Sequence, residues 1–234
     1  MIRAALQLIQ AWLRALGPWR LLMALITVLL LLGVGPRLAA APEPHTDQLI
    51  LDRLHSLIPD ALGAVLLRVY QLSGVHVSAV LVLGVLIFLA MRRFWADLVC
   101  LAIGTGGIVL VVDRLFKPLV DRPRPSGSLL SEIQGRSFPS GHAAGSVVFY
   151  FLSCSLLAAH YPTLRRPLFL ISSLWVGLVW MSTLYVRAHW LTDIAAGAAL
   201  GYVWLSFCLA GFRVWDQHQR RRSAASSLSP RIHG

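Results

Sequence analysis

The sequence predicts an all-α, polytopic membrane bundle of about six transmembrane helices. Three observations carry this. Hydrophobic residues make up 57% of the 234 residues and charged residues only 13%, about half the charged fraction of a soluble domain. The apolar residues fall in long runs instead of alternating with polar ones, and about 20 apolar residues cross a bilayer core. The polar residues gather in a few segments between the runs. With no water in the hydrocarbon, each crossing segment must satisfy its own backbone, which makes the spans helices.

The elements follow in order. Residues 2–16 read as an interfacial amphipathic helix, because Arg3, Gln7, Gln10 and Arg14 recur at helical spacing. Gly17 and Pro18 break it. The first apolar run covers about Leu21 to Val34 and ends near Leu38-Ala39-Ala40-Ala41, which resembles a signal-peptidase site. A retained anchor and a cleaved signal are both open, and the long leader favours retention. Residues 42–73 are mixed, and Pro42, Pro44, Glu43, Asp47, Asp52 and Asp60 point to water or the interface. Further spans are expected at about Val75–Met91, Leu98–Val112, Ala143–Ala159, Leu168–Leu184 and Leu191–Phe212, with a polar interruption at 113–142. The organisation is thus an interfacial segment at 1–20, a membrane domain at 21–212, and a basic, serine-rich tail at 213–234 expected to be disordered.

The formal net charge is +11. With the N-terminus inside, twelve of the 21 basic residues fall on inside segments, as membrane proteins require. Topology therefore accounts for the charge, and no nucleic-acid partner is expected. Of the nine outside, six (Arg114, Lys117, Arg122, Arg124, Arg136 and Arg187) cluster around two polar segments. Cations on the disfavoured side suggest an anion site. The three cysteines, Cys100, Cys154 and Cys208, lie singly in apolar runs and read as packing residues, with neither disulfide nor metal spacing.

Those two segments hold the chemistry. The first contains Lys117, Arg124 and Pro125, then Pro139-Ser140-Gly141-His142; the second contains Arg187, His189 and Asp193. Lys117 and Arg124 suit phosphate oxygens. Ser140 stands where a helix N-cap belongs, and Gly141 lets a phosphate approach the free N–H groups of that helix start. His142, in the first turn, can give or take a proton. His189 and Asp193 are four apart and share a helix face, so the carboxylate can fix the imidazole tautomer and leave the other nitrogen free to attack. This describes phosphoryl transfer through a covalent intermediate.

At these residues the chain resembles the type 2 phosphatidic acid phosphatase superfamily, whose signature is Lys-x6-Arg-Pro, Pro-Ser-Gly-His and Ser-Arg-x5-His-x3-Asp. The first two blocks match in full, and in the third Ser182, His189 and Asp193 match. The resemblance covers about residues 47–211. It implies that His189 is the nucleophile, Asp193 its orienting carboxylate and His142 the acid for the leaving group. Lys117, Arg124, Ser140 and Gly141 would hold the phosphoryl oxygens, with no metal and no cofactor. It also implies a bacterial inner-membrane location with the site facing the periplasm or exterior. Thr183 stands where the family has an arginine. Arg187, four residues on, shares a face with it if the stretch is helical, and is the candidate substitute. Arg122 and Arg136 read as loop or headgroup contacts, Asp121 as a partner of a neighbouring arginine, and His76 and His160 as interfacial residues.

The implied activity is hydrolysis of a lipid phosphate or pyrophosphate, with undecaprenyl pyrophosphate, phosphatidate and phosphatidylglycerophosphate as candidates. A lipid phosphotransferase using the same intermediate, and a catalytically impaired membrane relative favoured by Thr183, are the alternatives. The expected partners are the lipid substrate and membrane lipids; the sequence points to no protein partner.

Overall fold

The computed structural model describes residues 2–40 and 45–228, with side chains from Leu6 to Gln219. Every regular element among the described residues is helical. Helix α1 (Ile2–Ala40) joins the expected interfacial segment to the first span. It kinks at Gly17, whose φ is 76°, directly before Pro18. The N-terminal part is not a separate surface element. Leu16 is buried, and Trp12 donates from Nε1 to the Phe207 carbonyl at 3.1 Å, so this stretch docks on the last helix. Leu38 and Ala39, from the signal-peptidase-like stretch, are helical and pack against the core.

The mixed segment forms two helices, α2 (His45–Leu57) and α3 (Asp60–Leu72), while Pro42, Glu43 and Pro44 lie outside the described residues. Helix α3 buries Gly63, Leu66 and Val69, a spacing of three that makes one apolar face. It meets α4 (Val75–Met91) at a bend of 58°, and the two together have the length and apolarity of one span. Helix α5 (Trp95–Leu110) runs on through a π-helical stretch, Val111–Phe116, into the single turn α6 (Lys117–Val120). Helices α7 (Gly141–His160), α8 (Arg165–Tyr185) and α9 (Leu191–Leu228) complete the bundle. Among the described residues five helical segments are long and apolar enough to cross a membrane, and the bent α3–α4 pair, counted as one span, makes a sixth. The protein is a multi-span membrane protein, with leucine, isoleucine and valine side chains exposed along its flanks.

The tail departs from expectation. Residues 213–228 continue α9, while 229–234 lie outside the described residues. The physical reason is composition: Gln, Arg and Ala in this stretch are good helix formers and extend an existing helix without a new nucleus.

Two glycines bring α7 and α9 together. A Cβ on Gly197 would lie 2.4 Å from the Ser140 carbonyl oxygen, and one on Gly201 would lie 2.8 Å from that of Ala144. Spaced four apart, they present a smooth face that lets α9 lie directly against α7. The main core forms where α5, α7 and α9 meet, around Leu101, Ile108, Val148, Leu152 and Leu200. At the end away from the site, His160 stacks on Phe94 with ring centroids 3.7 Å apart and approaches Asp97 at 3.3 Å.

Candidate active site

The polar segments meet at one end of the bundle. Ser140 caps α7: its hydroxyl accepts from the Ala143 N–H at 3.2 Å. Its own N–H donates to the Asp193 carbonyl at 3.0 Å, which ties the start of α7 to the first turn of α9. His189 lies two residues before the start of α9 and is 2% exposed. Asp193 follows one turn later, with its Oδ2 3.6 Å from His189 Nδ1. That is beyond hydrogen-bond reach, and Nδ1 is a buried polar atom without a partner. Catalytic hydrogen bonds often tighten only when substrate is bound. The carboxylate is already oriented, because Oδ2 accepts from the Trp190 N–H at 3.0 Å.

On the other side of the ring, Arg124 Nη1 stands 3.4 Å from His189 Nε2. Its guanidinium is aimed by two carbonyls, Ala188 at 2.6 Å and Gln134 at 2.9 Å. His142 faces His189 edge-on with ring centroids 6.2 Å apart, and Tyr70 of α3 stacks on His142 at 5.3 Å. Lys117 lies near Gly141 and pairs with Asp113 at 2.7 Å. Burial pushes the His189 imidazole below the ordinary histidine range; Asp193 opposes this, while Arg124 and Lys117 add to it.

Lys117, Arg124, Gly141, His142 and His189 line one end of a cavity of about 320 Å³. From there it passes between α4, α5 and α7, along Val75, Ser78 and Val82, Thr105 and Ile108, and Gly145, Phe149 and Tyr150. His142 and Tyr150 are eight residues apart on α7, so the cavity is about 12 Å deep at 1.5 Å per residue. That is most of the roughly 15 Å thickness of one leaflet's hydrocarbon.

Arg187 does not join this group. The expectation that it substitutes from the Thr183 face required a continuous helix. Helix α8 stops at Tyr185, Arg187 has a φ of 54°, and its guanidinium pairs with Asp52 of α2. Arg187 is not among the residues lining the cavity. Thr183 is buried, and its hydroxyl donates to the Trp180 carbonyl of its own helix at 2.8 Å.

Arg122 is the residue that sequence reading missed. It is not a loop or headgroup contact but has 0% exposure. It donates to Asp193 Oδ1 at 2.6 Å, to Asp47 Oδ2 at 2.9 Å and to the Thr192 hydroxyl at 2.7 Å. Asp47 in turn accepts from the Thr192 hydroxyl at 2.5 Å. Asp47 is therefore buried at the site and is not an interfacial acid. Asp121 does pair with a neighbouring arginine, Arg136, at 2.5 Å.

Comparison with known proteins decides the family. A sequence model of the PAP2 superfamily matches residues 95–216, just over half of the chain. The chain belongs to the PAP2 superfamily. It is 29% identical over 124 residues to phosphatidylglycerophosphatase B of Bacillus subtilis (strain 168), a match covering 52% of this chain and 60% of that protein. The fold is shared with the crystal structure of a transmembrane PAP2-type phosphatidylglycerolphosphate phosphatase from Bacillus subtilis. The TM-score is 0.68 at 21% identity, over 92% of this chain and 98% of that one.

Proposed function

We propose that this PAP2 protein is a lipid phosphate phosphatase working through a phosphohistidine at the extracytoplasmic face of a bacterial membrane. One observation carries the reading: a buried imidazole with a carboxylate behind it and an arginine in front sits at the head of an apolar cavity about one leaflet deep. A phosphate headgroup would meet Arg124, Lys117 and the first turn of α7 while its chain lay between α4, α5 and α7. The extracytoplasmic orientation rests on the arginine bias, with Arg92, Arg93, Arg165 and Arg166 at the opposite end of the bundle. The named relatives make phosphatidylglycerophosphate the first substrate to test.

In this mechanism the Nε2 lone pair of His189 attacks phosphorus. The bond from phosphorus to the lipid oxygen breaks, and His142 gives that oxygen its proton. Asp193 accepts from Nδ1–H as the ring gains positive charge. Water then attacks the phosphohistidine, His142 takes its proton, and phosphate leaves with His189 restored. Position and fixed charge do most of the work.

Thr183 supports the impaired-relative reading, since neither it nor Arg187 offers a donor to the cavity. The test is phosphate release by the detergent-solubilised protein, with EDTA, from phosphatidylglycerophosphate, phosphatidate and undecaprenyl pyrophosphate. Release that disappears in His189→Ala is expected. No release from any of the three would move the assignment to the impaired relative, and a newly phosphorylated lipid in place of free phosphate would identify a transferase.

A further inference from the structure

We propose that Asp47 of α2 is a positioning residue for the nucleophile, acting through Arg122 to keep net negative charge behind His189. The inference rests on His189 being the nucleophile. It starts from a charge count. Arg122 reaches Asp193 Oδ1 at 2.6 Å, and both side chains are fully buried. Taken alone, that pair is neutral. A carboxylate neutralised by a guanidinium gives little help to an imidazole that becomes cationic as it attacks phosphorus. Asp47 changes the sum. It binds the other end of the same guanidinium at 2.9 Å, with only 5% of its side chain exposed. The trio carries one net negative charge, and Asp193 is the member nearest His189.

The geometry adds two points. Thr192 bridges the trio, accepting from Arg122 at 2.7 Å and donating to Asp47 at 2.5 Å, so Asp47 is fixed to the first turn of α9 beside Asp193. The Arg122 guanidinium also lies over the Trp190 ring at 5.2 Å, next to the nucleophile in sequence. Asp47 touches neither the cavity nor His189, so it acts only through its neighbours. The other charged and titratable groups around His189 are Arg124 from the loop, Lys117 with its partner Asp113, and His142 with Tyr70 stacked behind it. None of these contacts Asp47, so their contribution is common to wild type and variant.

Removing the Asp47 charge leaves the Arg122–Asp193 pair neutral. The imidazolium form of His189 then loses support. The acid limb of kcat/KM against pH moves to lower pH, and the plateau falls on the order of tenfold, the equivalent of one pKa unit of interaction. A structural role alone lowers activity equally at every pH and leaves the limb in place. The experiment is the pH profile of wild type, Asp47→Asn and Asp47→Asn with Arg122→Gln, on one lipid phosphate, with His189→Ala in parallel. The double variant restores one net negative charge at Asp193, so its limb returns to the wild-type position even with a lower plateau. Asp47→Asn by itself keeps the neutral Arg122–Asp193 pair, so a detergent melt of each variant and the charge-keeping Asp47→Glu, whose limb stays at the wild-type position, separate a folding defect from a charge effect. An Asp47→Asn limb at the wild-type pH, or a double variant displaced from it, overturns the proposal. Undiminished activity in His189→Ala would instead overturn the nucleophile assignment on which it rests.

Discussion

Substituting Gly197 with alanine tests whether the α7–α9 contact sets the catalytic geometry. The added methyl carbon would lie 2.4 Å from the Ser140 carbonyl oxygen and 3.1 Å from the Ala143 Cβ. Real Cβ atoms do not come closer than 3.0 Å. The helices must therefore part by roughly 0.6 Å or more, because the opposing atom is backbone and cannot rotate away. Ser140 and His142 travel with α7, whereas His189 and Asp193 stay with α9, and the 3.0 Å bond from Ser140 N–H to the Asp193 carbonyl lies across the seam. A misplacement of about 1 Å costs on the order of 100-fold in rate. The expected loss is thus about 10- to 100-fold in kcat, or about 1.4 to 2.7 kcal/mol of barrier. The assay is kcat and KM in detergent beside a thermal melt. Gly177→Ala serves as the control, because a Cβ there meets nothing within 4 Å. A folded Gly197→Ala protein with wild-type kcat would refute the idea that this contact holds the two halves of the site in register.

Two further predictions follow from the site. Burial lowers the His189 pKa, so its neutral form, the one the proposed attack requires, persists below the ordinary imidazole value of about 6.5. Corrected for substrate ionisation, kcat/KM should stay flat through that pH and fall only below it; a limb centred at or above it contradicts the buried, neutral nucleophile. The sign is the same for stability, which His189 supports above about pH 6.5 and which declines as pH falls, because the unfolded chain takes up a proton that the folded chain does not. For Arg187→Ala, the pair with half-exposed Asp52 is screened and worth little. KM should stay within about threefold of wild type, because Arg187 does not line the cavity and its half-exposed pair is worth little; a hundredfold rise would mean that Arg187 enters the cavity during turnover.

The spans and the site blocks were legible in the sequence because both are local signals. An apolar run states its own length, and Pro139-Ser140-Gly141-His142 places a cap, a small residue and a proton carrier in four positions. Three features were not legible, each for a different reason. Asp47 and Arg122 are 75 residues apart, and nothing near either one marks it as buried. Arg187 was misplaced because the helix was taken to continue past Tyr185; a positive φ at an arginine is uncommon and leaves no compositional trace. The tail was read by its charge and serine content, whereas its continuation as helix follows from the propensity of its glutamine, arginine and alanine residues. The role of Gly197 and Gly201 comes from the structure, which shows carbonyls of α7 lying against them.

The doubled Arg-Pro sequence lets one short segment serve both sides of His189. Arg122-Pro123-Arg124-Pro125 is irregular, and each proline fixes its own φ and biases the preceding arginine toward an extended conformation. The two arginines nevertheless reach different partners. Arg122 turns inward to Asp193 and Asp47, where carboxylates cancel its charge. Arg124 turns to the cavity, where the carbonyls of Ala188 and Gln134 aim it without cancelling anything. A carbonyl partner orients a guanidinium and leaves its full charge for a phosphate; a carboxylate partner uses that charge up. Lys117 lies between these extremes, since its partner Asp113 is half exposed and an arriving phosphate dianion can compete for the ammonium. Identical side chains two positions apart thus differ in role because of what each finds at the end of its reach. It follows that the partner matters as well as the arginine: a carboxylate introduced beside Arg124, as in Gln134→Asp with the side chain turned inward, should raise KM for a lipid phosphate even though no residue lining the cavity has changed.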